Sequence, residues 1–143
     1  MSLRSVDVKI DDGSRDDGKV FRITEMNADA AEWWALRVGG LVMEADRNNE
    51  LLGLAFGGMD ALAELGPVLI MKFALASDPD RLKPLLAEME KCWSIVNPAN
   101  PTSSMPLANN SIEEVSTRLR LRKETLELFF SFFTKKAAPN SKA

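Results

Sequence analysis

At 143 residues the chain has the length of one domain, enough to bury roughly 70% of its extended surface around one core. A hydrophobic share of 45% marks a folding sequence, and a net charge of −3 supplies no positive field to draw nucleic acid or an anionic membrane. The single cysteine, Cys92, excludes an internal disulfide, and no secretory signal opens the chain, so a reducing cytoplasm is the expected compartment.

In chain order, two β-branched runs come first, Val6–Ile10 and Val20–Ile23, on either side of the polar stretch Asp11–Gly18. Alternation around a Gly-containing connection predicts a β-hairpin or two loosely paired strands over residues 6–24, within one subunit or between two. Asn27 is a suitable cap for a helix over 28–46, whose apolar positions Ala30, Trp33, Trp34, Val38, Leu41 and Val42 recur at three- and four-residue spacing. Gly39 and Gly40 weaken that helix by about 1 kcal/mol each relative to alanine and mark either a close contact or a kink.

The apolar region Leu51–Ala76 contains Asp60, Glu64, Lys72 and the break Gly66-Pro67, which suits buried core and not a membrane span. Leu62, Leu65, Leu69 and Phe73 give it a helical stripe capped at Asp60. Asp78-Pro79 opens a further helix with Leu82, Leu85, Leu86, Met89, Cys92, Trp93 and Val96 on one face. Residues 97–110, with three prolines, read as a loop. Ser111 and Glu114 form a capping box for a helix running to about Thr134, and the tail 137–143 is expected to be disordered. The predicted fold is therefore mainly α: a single domain over 1–136, built as a small bundle of four to five helices with N-terminal short strands, its helical region spanning 28–134.

Catalytic and metal motifs are missing. Histidine and tyrosine are absent, which removes the commonest general base near neutral pH and every His-based metal site or triad. Cys92 lies on an apolar helical face beside Trp93 and reads as packing. Aligning Gly18 with the sixth position of a calcium loop puts Gly13 and Arg15 where carboxylates belong and Thr24 in place of the bidentate glutamate, so Asp11, Asp12, Asp16 and Asp17 read as a solvated turn. Gly53, Gly57 and Gly58 lack the Gly-Lys-Ser/Thr ending of a phosphate-binding loop. Arg118, Arg120, Arg122 and Lys123 spread around a helix and match Glu124 and Glu127 at four-residue spacing, an ordinary solvated face. No catalytic, metal or cofactor residue is assigned.

The end of the last helix, Leu126–Phe133, is apolar nearly all round. Leu128, Phe129, Phe130, Phe132 and Phe133, together with the pair Trp33 and Trp34, are the candidate partner-binding residues.

The segments Val20-Phe-Arg-Ile-Thr-Glu-Met26, Ala31-Glu-Trp-Trp-Ala-Leu-Arg37, Lys83-Pro-Leu-Leu-Ala-Glu-Met89 and Leu119-Arg-Leu-Arg-Lys-Glu-Thr-Leu-Glu-Leu128, with the phenylalanine-rich end, resemble tail assembly chaperones of long-tailed, siphovirus-type bacteriophages and prophages. The resemblance spans about residues 20 to 133. It implies a non-structural factor in the bacterial host cytoplasm that coats the tape measure protein and recruits tail tube protein; the aromatic candidate residues are then those for client contact or self-association. It also implies a frameshifted long form, for which Lys135-Lys136 would mark a slippery site. A small helical adaptor or regulator that binds a host protein is the alternative, and a tape measure gene directly downstream separates the two.

Overall fold

The structure is a computed structural model that describes residues 3–45, 72 and 78–134, with the backbone alone at 42, 43, 45 and 130–134. Its centre is a four-stranded antiparallel sheet in the order β1-β2-β3-β4. The strands are β1 (Ser5–Lys9), β2 (Val20–Thr24), β3 (Trp93–Asn97) and β4 (Asn100–Pro106). Among the described residues the helices are α1 (Ala28–Ala45), α2 (Pro79–Glu90) and α3 (Val115–Thr134).

The N-terminal hairpin forms within the chain, Val8 opposite Phe21 and Val6 opposite Ile23. Its connection is held by its own polar groups: Ile10 N donates to Lys19 O at 2.9 Å and Gly18 N to Ile10 O at 2.7 Å across its neck, and the Asp17 carboxylate accepts from Gly13 N at 2.9 Å. Gly13 and Gly18 take φ of 72° and 88°, a conformation that costs glycine little.

The expected mainly α bundle of four to five helices is corrected by residues 91–106. The helix begun at Pro79 stops at Glu90, and Trp93–Asn97 pairs with β2 in the register Phe21–Ile95 and Ile23–Trp93. Cys92, Trp93 and Val96 continue the helical spacing of Leu85 and Met89, but Trp-Ser-Ile-Val also alternates as a strand. The open edge of β2, with its unpaired backbone groups, decides in favour of the strand. Trp93 joins the core cluster, whereas Val96, three positions further and therefore on the other side of the strand, is buried outside that cluster. The ladder shifts register only after it, at Val96/Asn97.

The expected loop over 97–110 is likewise corrected, because Asn100–Pro106 forms β4. Asn97 turns the chain by accepting from Ala99 N at 2.9 Å. Prolines 101 and 106 are tolerated because β4 is an edge strand, where half of the backbone N–H groups face outward and need no partner. The expected helix around Leu62 to Phe73, its break at Gly66-Pro67, and the tail 137–143 lie outside the described residues, Lys72 apart.

One face of the sheet carries the core. Val8, Phe21, Ile23 and Trp93 pack there with Leu121 and Leu126 of α3, Leu82, Leu85 and Met89 of α2, and Trp34, Val38 and Leu41 of α1. The opposite face is polar, with Arg22 binding Asp7 at 2.8 Å and donating to Pro101 O at 2.9 Å. α1 lies against α2, tied by Arg37–Glu88 and by Arg81–Glu44 at 2.9 Å.

Candidate functional site

α1 is built to show two different faces. Asn27 caps it as expected, accepting from Ala30 N at 2.9 Å, and the helix runs through Gly39 and Gly40 without interruption. Nothing lies within 4 Å of a Cβ placed on either glycine, so no close contact among the described residues requires them. Trp34, Val38 and Leu41 enter the core. Asp29, Glu32, Trp33 and Leu36 fall on an arc of about 100° on the other side. All four are exposed, Trp33 at 60% and Leu36 at 64%.

The tryptophan pair is therefore split. Trp34 donates its indole N–H to Leu85 O at 2.9 Å and meets the ring of Phe129 edge-on at 5.3 Å. Trp33 stays outside under the guanidinium of Arg37, 5.2 Å from its ring centroid. Arg37 is fixed by Glu88 at 2.6 Å, and this pairing holds the Glu88 carboxyl below the usual glutamate range against the opposing effect of burial. Phe129 and Leu128 are half-buried against the core. Phe130, Phe132 and Phe133 lie in α3, where the side chains are outside the described set. Leu36 was missed by reading for a single apolar stripe; its signal was a second apolar pair, 33 and 36, off the phase of 34, 38 and 41.

The N-terminal half of α3 is a second exposed surface. Val115 is 72% and Leu119 49% exposed, and Arg120 and Lys123 stand beside them. The basic cluster does not act as one unit. Arg122 is buried, donates to Leu86 O and sits 5.2 Å over Trp93; Arg118 covers the same ring at 5.8 Å. Both reach Glu90, at 2.7 and 2.6 Å. Burial alone would raise the Glu90 carboxyl, but the two guanidinium groups outweigh it and hold it down. The expected four-apart pairs Arg120–Glu124 and Lys123–Glu127 are present at 3.9 and 3.8 Å.

Asp16, grouped at first with a solvated turn, is fully buried. Its carboxylate accepts from Glu113 N and Glu114 N, both at 3.0 Å, where the chain leads into α3, and from Lys19 Nζ at 2.9 Å. Burial pushes this carboxyl up, yet the facing Thr117 hydroxyl, Lys19 and the two amides bring it to about 2. Thr117 Oγ1 comes close without reaching full hydrogen-bond geometry. The expected capping box is replaced: Ser111 Oγ accepts from Ala108 N, and Glu114 pairs with Arg15 at 3.0 Å. A cap supplied from 97 positions away leaves no local signature.

Cys92 is half-buried, and burial raises its thiol to about 11, so it stays protonated and a poor nucleophile at neutral pH. Among the described residues no group of three or more acidic, His or Cys side chains could hold a metal ion, and no helix is long and apolar enough to cross a membrane. Comparison with family models, with curated proteins and with solved structures finds no match.

Proposed function

We propose that this chain is a non-catalytic phage tail assembly chaperone that binds the tape measure protein in the bacterial host cytoplasm and brings tail tube protein to it. The observation that carries the reading is that large apolar side chains stand exposed on two helices, Trp33 and Leu36 on α1 and Val115 and Leu119 on α3. Large apolar side chains left in water on helix faces suit a protein that works by association. An absence of histidine and tyrosine over the whole chain agrees with such a role. The similarity of residues 20 to 133 to tail assembly chaperones supplies the client, and the phenylalanine-rich end of α3 supplies its contact.

The test is co-purification with the tape measure protein of the same phage or prophage. Phe130→Ser with Phe132→Ser is expected to abolish recovery of the tape measure protein while circular dichroism stays unchanged. Undiminished recovery removes the aromatic end as the client contact, and no recovery by the unaltered chain removes the client.

A further inference from the structure

We draw no further inference here: the strongest candidate, the outer edge of β4 at Asn100–Pro106, exposed at every residue and paired on one side only among the described residues, carries nothing because no feature of the structure shows what pairs with it.

Discussion

Asp16 shows how much one buried carboxylate can organise. It joins the hairpin connection to the start of α3 through two backbone amides and one lysine. Replacing it by asparagine removes a charge that those donors are arranged to meet, and the expected loss is about 3 kcal/mol in urea unfolding. Its carboxyl ordinarily titrates at 3.8 and is held at about 2 here. A depressed folded value stabilises the fold above the ordinary value, so this contribution is complete above about pH 5 and fades as pH falls from about 4 to 2. Measured stability of the unaltered chain should drop through that window, and Asp16→Asn should flatten the drop. The tryptophan pair makes the complementary case. Trp34→Ala opens a cavity beside Phe129 and removes the indole hydrogen bond to Leu85 O, with an expected cost of about 4 kcal/mol. Trp33→Ala removes only an exposed ring under Arg37 and should cost about 0.5 kcal/mol in the same assay.

At the scale of elements, α1 keeps two glycines that packing among the described residues does not call for. Gly40 is exposed and has open space at its Cβ position, so Gly40→Ala should stabilise the folded chain by up to about 1 kcal/mol, read as a raised thermal midpoint. The outcome for β4 runs the other way. None of its residues is buried, and it is paired on one side only, to β3. Hydrogen exchange should therefore be fastest in Asn100–Pro106 and slowest in Val20–Thr24, the interior strand that holds Phe21 and Ile23.

At the scale of the whole molecule, the described residues form an antiparallel sheet with helices gathered on one face, and its last joints are made by residues far apart in the chain. Trp93 of β3 donates to Thr125 of α3 at 2.7 Å, while Arg118 and Arg122 bridge its ring to Glu90 of α2. Glu90→Gln would leave the buried Arg122 guanidinium without its counter-charge. The expected cost is about 3 kcal/mol, measured by urea unfolding, with a change in tryptophan emission in the folded state.

Local chemistry settled the N-terminal hairpin, the Asn27 cap and, of the expected stripe on α1, the burial of Trp34, Val38 and Leu41, while Ala30 and Trp33 of that stripe are exposed. Alternation, a capping amide and helical spacing each act within a few residues. It also settled Asp78-Pro79 as a helix start, where Asp78 accepts from Asp80 N at 2.9 Å. Tertiary structure alone decided that Trp93–Val96 leaves the helical phase, since the spacing satisfies both periods and only the edge of β2 discriminates between them. It likewise turned a proline-rich stretch into β4, drew Asp16 out of the solvated turn to serve α3, and divided Trp33 from Trp34. β4 has its partner close by in β3, but β3 itself is placed by β2, and the others depend on partners far along the chain, such as Trp34–Leu85 at 51 and Asp16–Glu113 at 97, which no local window contains.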